Sequence, residues 1–457
     1  MDDRPGPAHG GSRRGAACDG RRTRVEGLSP MPGELPTEIV QDPSHGFTRQ
    51  PAASVRHPDL VLALDAYADD HIRARMYGPA VPPSPTEHAV KLSVRPAAVT
   101  AAAAGLRELW KRELVDFQPV DEHGIPVMDR PRLPYAMCPD LTAEPKEEHR
   151  EILDELARQG AYLLYGELLG DGGAGTRRFR DVLTRVLSGD RTLRIRVDSD
   201  LFLPWPMLCL PEDPADGPDD VFRRFLGYRH QIEQTGSYYP SIADDESAPP
   251  RPVPVVSLNH DKGIDPEGRT RAADVETALA TNTVAVERTL RKELLDAFGS
   301  GALDEQLMYF WCHGHFRHTA DDSAPLLVVQ LSDHKDIDAR SVRARRTSED
   351  PLLTYRPLVL LNACYAGLPG SAELVHLGGA LIEAGAGGVL GPQIEMPQMF
   401  AAEYAYAFVT RYLGGRETAG EIAHGLARHF ADTWSNPLGF AYTLHCGMDS
   451  RLERITR

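Results

Sequence analysis

A histidine and a cysteine, each just past an apolar run, are the residues of this chain best suited to chemistry. Leu307-Met308-Tyr309-Phe310-Trp311-Cys312 leads into His313-Gly314, and Leu358-Val359-Leu360-Leu361-Asn362-Ala363 leads into Cys364-Tyr365-Ala366-Gly367. A thiolate is a strong nucleophile toward carbonyl carbon, and an imidazole is the usual base that generates it. Gly314 beside the histidine lets the main chain approach a substrate closely, and the amides of Gly314 and Cys364 are candidate donors to an oxyanion. Asn362, two residues before the cysteine, either points into the same cleft or finishes its strand. His315 is the fallback base.

The two apolar runs must be strands for this pairing to work. Runs that are continuously apolar read as parallel strands buried on both faces. Side chains just beyond the carboxyl ends of such strands share one rim of the sheet, where open α/β sheets place their sites. The surrounding pattern supports this. From Val253 onward strands alternate with helices: Val253–Leu258, Thr283–Val286, Leu326–Leu331, Gly387–Gly391 and Phe440–Cys446 read as extended. Arg271–Ala280, Arg288–Phe298, Ala372–Ala384, Met399–Leu413 and Thr418–Trp434 read as helical. The fold class is therefore α/β, a mostly parallel sheet flanked by helices.

Upstream, residues 1–55 are rich in Gly, Pro, Arg and Ser and read as a disordered leader, whose arginines are either a docking tail or solvated charge. Residues 56–150 read as a helical N-terminal region. His57–Tyr77 is expected to be a helix with Leu60, Leu64 and Tyr67 on one face, and Ala97–Phe117 a second. A third helix is expected over Lys146–Leu169, a fourth over Thr176–Leu187, and a strand over Leu193–Val197. The glycine loop 170–175 lacks the lysine and hydroxyl of a phosphate loop and reads as a connection. The acidic, then proline-rich stretch Asp244–Pro254 reads as a linker.

Composition narrows the function. The chain has 457 residues, 42% of them hydrophobic, and a net charge of −16. That charge argues against nucleic acid or an anionic membrane as partner. No apolar run reaches the about 18 residues of a membrane helix. Met1-Asp2-Asp3-Arg4-Pro5-Gly6-Pro7 has no apolar core, so a cytoplasmic location is expected. The six cysteines form no C-x-x-C pair and read as free thiols. Cys312, His315 and His318 do not make a convincing zinc set, because no second cysteine pair accompanies them. Neither a metal nor a cofactor is expected.

The cysteine context Asn362-Ala363-Cys364-Tyr365-Ala366-Gly367, with a histidine 51 positions upstream, follows the caspase pattern. More specifically, the segment from about Tyr162 to Gly447 resembles the CHAT domain, a caspase-like module of the clan that includes separase. Leu203-Pro204-Trp205 resembles the Leu-Pro-Trp-Glu element, with Pro206 in place of the acid. Cys312-His313-Gly314 resembles the His-Gly motif. Leu361 to Gly367 resembles the Ser-Ala-Cys-Glu-Thr-Gly motif, differing at Tyr365 and Ala366. Ala384-Gly385-Ala386-Gly387-Gly388-Val389 resembles the turn and strand that follow, and Asn436 to Gly447 the closing strand.

The resemblance implies a caspase-like sheet with a degenerate, pseudo-protease-like first half at 151–250 and a catalytic half at 251–449. It implies a cysteine endopeptidase with His313 as base and Cys364 as nucleophile, cleaving a specific protein in a regulatory or defence role, under a protein activator. Glu395 falls near an acidic position of separases and implies a pocket for a P1 Arg or Lys. Two other readings stay open: the same fold kept as an interaction scaffold, and a hydrolase of a non-peptide acyl bond.

Overall fold

The computed structural model describes residues 57–453, apart from 69, 122, 128–132, 145, 200, 213–220, 237–249, 301–302, 318–325, 347–355 and 369–376. The expected leader, most of the expected linker and His318 lie outside the described residues.

In chain order the described strands are β1 (Leu60–Ala68), β2 (His71–Tyr77), β3 (His88–Leu92), β4 (Arg194–Ser199), β5 (Gln231–Thr235), β6 (Val255–His260) and β7 (Val284–Arg288). Then come β8 (Leu307–Trp311), β9 (His313–Arg317), β10 (Leu326–Gln330), β11 (Asp336–Ile337), β12 (Leu358–Asn362), β13 (Gly388–Pro392) and β14 (Tyr442–His445). Eleven of them form one sheet in the order β3-β2-β1-β4-β5-β14-β13-β12-β8-β6-β7. The block β7-β6-β8-β12-β13 is parallel throughout, as is the block β14-β5-β4-β1. The two blocks meet antiparallel at β13 and β14. Segments 151–250 and 251–449 thus share a single sheet.

The two reactive runs become β8 and β12, adjacent and parallel in the middle of this sheet. Every residue of both strands is buried, as expected where helices cover both faces. Alternation sends Leu358 and Leu360 to one core, with Phe400, Tyr404 and Phe408. Val359 and Leu361 face the other, with Leu377 and Leu381.

The covering helices are α1 (Pro96–Trp110), α2 (Lys146–Tyr162), α3 (Ala174–Leu187), α4 (Leu226–Arg229), α5 (Ala272–Ala280), α6 (Arg291–Ser300), α7 (Ala339–Arg343), α8 (Leu377–Glu383), α9 (Gln398–Leu413) and α10 (Ala419–Trp434). In α10, Thr418 and Glu421 form a capping box, and Ile422, Leu426 and Phe430 repeat every four residues toward the core. In α9, Phe400, Tyr404, Phe408 and Tyr412 make a buried aromatic row, with Tyr404 stacked on Tyr442 of β14 at 3.7 Å between ring centroids.

The expected helix at His57–Tyr77 is instead the hairpin β1–β2, which pairs with β4 through β1. The spacing of Leu60 and Leu64 satisfies both periods, 3.6 and 2. The structure follows period 2: Leu60, Leu62 and Leu64 are buried, as are Ile72, Ala74 and Met76, while Tyr67 is 69% exposed. The N-terminal region is therefore helical only beyond Pro96. There the second expected helix forms as α1 and runs into a π-turn, Lys111–Val115. The third is α2, followed by a second π-turn at Leu163–Leu168.

One element was not legible in the sequence. After Cys312 the chain leaves the main sheet, and β9, β10 and β11 form a separate antiparallel sheet. His313 is the first residue of that hairpin.

Candidate active site

Strand register brings the histidine and the cysteine to neighbouring places. Trp311 of β8 pairs with Asn362 of β12. His313 and Cys364 each stand two residues past that pair, on the carboxyl rim. At Gly314 the two segments approach main chain to main chain. A methyl group built on Gly314 would lie 2.3 Å from the Cys364 carbonyl oxygen and 3.1 Å from its nitrogen. Only glycine allows this approach.

Alternation along β9 leaves His313, His315 and Arg317 exposed, while Gly314 and Phe316 are half-buried. Phe316 packs on Tyr365, with ring centroids 5.0 Å apart. No hydrogen bond joins His313 to Cys364.

The loop carrying Cys364 is fastened from below. The Tyr365 amide donates to the Ile394 carbonyl (3.2 Å) and the Gly367 amide to the Pro392 carbonyl (2.7 Å). A methyl on Gly367 would lie 2.0 Å from the Gly391 oxygen. Tyr365 takes a left-handed conformation, φ 62°, which costs a non-glycine residue about 1 kcal/mol or more and concentrates at functional sites. His445 of β14 donates from Nε2 to the Gly367 carbonyl at 2.9 Å. Burial lowers the His445 pKa to about 4, so the ring is neutral.

The Cys364 thiol is pushed above its ordinary pKa, chiefly by burial and further by the charge of Glu395. The main-chain amides of Met396 and of Cys364 itself oppose this by hydrogen bonding toward the sulfur. The sulfur at rest is a thiol, and a base or a substrate must shift that balance.

Glu395 stands close enough for its charge to act on Cys364 and is 44% exposed. Its Oε1 accepts a hydrogen bond from the Tyr365 hydroxyl (3.0 Å), and its Oε2 lies 3.6 Å from Lys111 Nζ. Asn362 is placed differently. It is buried, its Nδ2 donates to the Ala401 carbonyl (2.9 Å), and its Oδ1 accepts from the Tyr442 hydroxyl (2.7 Å). Its amide is engaged in the core beneath the strand end, so Asn362 finishes its strand there rather than reaching into the cleft.

Several residues at the site were not singled out in the sequence. Arg107 of α1 is half-buried, and its guanidinium donates to Gln393 Oε1 and to the Phe202 carbonyl, both at 2.9 Å. Burial lowers its pKa to about 10. Gln393 in turn donates to Thr443 Oγ1. The N-terminal helix is thus tied to the segment that carries Glu395. A half-buried arginine on a helix face has no signal in sequence alone. Among the described residues no group of three His, Cys, Asp or Glu could hold a metal, and no disulfide joins the five described cysteines.

The profile of the CHAT domain matches residues 181–428, more than half of the chain. A probable protease from Vitiosangium sp. (strain GDMCC 1.1324) is 30% identical over 176 residues, which are 36% of this chain and 21% of that protein. The chain thus spans about a fifth of the length of that curated relative. Two crystal structures of the Saccharomyces cerevisiae separase–securin complex are similar in part. One has a TM-score of 0.35 at 11% identity, covering 76% of this chain and 22% of that chain. The other has a TM-score of 0.43 at 9% identity, covering 85% and 30%.

Proposed function

The chain belongs to the CHAT domain family, a caspase-like protease family, and on that footing we propose that it is a cysteine endopeptidase that cleaves a protein partner. The observation that carries the reading is the contact of Gly314 with the Cys364 main chain. It sets the His-Gly and Cys motifs against each other on one rim.

In the proposed mechanism His313 takes the proton from the Cys364 thiol. The sulfur then attacks the scissile carbonyl carbon, and the amides of Gly314 and Cys364 hold the oxyanion. The C–N bond breaks as His313 returns the proton to the leaving amine. Water, deprotonated by His313, hydrolyses the thioester and restores the thiol. No cofactor is needed. Glu395 walls the P1 pocket and selects Arg or Lys by charge. In this reading 151–250 is the pseudo-protease half, 251–449 the catalytic half, and the protein works in the cytoplasm in a regulatory or defence role. A protein activator seats the exposed His313 against the sulfur.

The test is cleavage of a candidate partner by wild type and by Cys364→Ala. Cleavage by the wild type alone supports the reading; equal cleavage by both sinks it. A second reading, an interaction scaffold with little catalysis, is favoured by the raised thiol pKa and the unjoined side chains. Partner binding that survives in Cys364→Ala, with no cleavage by either protein, supports it.

A further inference from the structure

We propose that Lys111 is a specificity-determining residue: a resident cation that competes with the substrate's basic side chain for Glu395. The inference rests on the reading of Glu395 as the P1 wall of a peptidase. It adds to that site a residue from the N-terminal region, outside the segment matched by the family.

The geometry is asymmetric. Lys111 Nζ is 2.6 Å from Asp116 Oδ2 and 3.6 Å from Glu395 Oε2. The ammonium is hydrogen-bonded to Asp116 and only leans on Glu395. Lys111 is 20% exposed, whereas Glu395 is 44% exposed and keeps an open face for an incoming group. The other carboxylate oxygen is held by the Tyr365 hydroxyl at 3.0 Å. An arginine fork takes two carboxylate oxygens when it binds best. To offer Oε2 fully, Lys111 must withdraw toward Asp116.

The π-turn prepares that withdrawal. The Asp116 amide donates to the Lys111 carbonyl at 2.9 Å, closing the turn and holding Asp116 beside the lysine. Trp110 just before the turn and Leu114 within it are buried and anchor it to the core. π-turns concentrate at functional sites because they displace one residue from the helical register. Glu108, one turn earlier, adds negative charge that is felt at both Lys111 and Tyr365. The surroundings thus stay acidic with Lys111 present, and a second cation is accommodated.

Two substitutions separate this role from a structural one, because they act with opposite signs. Lys111→Met keeps the stem and removes the competitor. Asp116→Asn removes the carboxylate that draws the lysine away and leaves it to Glu395. The measurement is the rate of Cys364 labelling by an arginyl acyloxymethyl ketone and by its neutral, isosteric citrulline counterpart. In both, the thiolate displaces the carboxylate leaving group. The arginine-to-citrulline ratio is expected to rise about threefold in Lys111→Met and to fall about twofold in Asp116→Asn, the scale of one partly exposed ion pair. Shifts of both variants in the same direction, or no shift while both probes label, overturn the inference and leave the peptidase standing. A wild-type ratio of one that stays at one in both variants removes Glu395 as a P1 wall, and the inference with it. No labelling of Cys364 in any variant, with Cys364→Ala as blank, removes the peptidase reading first.

Discussion

The cysteine side and the histidine side of this rim are built in opposite ways. Cys364 sits in a half-buried loop whose next residues are tied to Pro392, Ile394 and His445 by main-chain and side-chain hydrogen bonds. His313 opens an exposed hairpin that has left the main sheet and touches the cysteine loop through Gly314 and Phe316. A loop with many buried bonds holds one geometry, whereas an exposed strand end moves at lower cost. The difference teaches that the fold sets the sulfur and leaves the imidazole adjustable, which the proposed dyad would exploit. In the proposed mechanism a burial-raised thiol beside an exposed imidazole is the resting state, and bringing the imidazole closer is the economical way to leave it.

The contrast can be broken at several points. Cys364→Ala is expected to abolish cleavage of a partner protein, and His313→Ala to lower kcat about a thousandfold, the range of a lost general base. His315→Ala, tested beside them, is expected to retain most activity. The reverse order between the two histidines would move the base two residues along β9.

Gly314→Ala comes next. Its methyl would meet the Cys364 carbonyl oxygen at 2.3 Å, so the hairpin must shift away from the loop. Activity is expected to fall at least about a hundredfold, since small displacements of catalytic groups cost that much. Stability is expected to fall by only about 1–3 kcal/mol, the usual cost of overpacking. Thermal unfolding and kcat measured together check this. An active Gly314→Ala protein would show that the two segments need not touch.

Alkylation of Cys364 by iodoacetamide tests the resting thiol. Because its pKa lies above the ordinary cysteine value, the rate at pH 7 is expected to trail that of a free thiol. It should keep rising beyond the pH where a free thiol levels off. A plateau near pH 7 without any partner would mean that the base is already engaged.

The smallest effect concerns the floor of the loop. The folded pKa of His445 is about 4, below the unfolded value of 6.5. Its stabilisation is therefore present above pH 6.5 and is lost as pH falls toward 4, by up to about 3 kcal/mol. His230, also lowered to about 4, adds a loss of the same sign. His445→Gln is expected to flatten the acid limb of a stability–pH curve while leaving the His230 part. An unchanged limb would locate the acid sensitivity elsewhere.

Much of this architecture was legible in local pattern. Continuously apolar runs identified β8 and β12, and alternation of element types identified the parallel sheet. The motif order around Leu203, His313, Cys364 and Ala384 identified the family. The pattern misled at His57–Tyr77, where leucines four apart fit two periods. The departure of β9 from the sheet was hidden because Cys312 continues the apolar run without a break. Asn362 could not be placed from its spacing, since its partners Ala401 and Tyr442 lie 39 and 80 positions away.

The sequence alone determined that an imidazole and a thiol each follow a buried apolar strand, because side-chain chemistry and hydrophobic periodicity are local properties. Only the tertiary structure decided what surrounds them. Arg107 reaches Gln393 across 286 positions, and Lys111 reaches Glu395 over a similar distance. Contacts of that span follow from how helices pack on the sheet and leave no period in the chain. The pKa of Cys364, the neutrality of His445 and the lysine leaning on Glu395 all depend on burial and proximity, which exist only once the chain has folded.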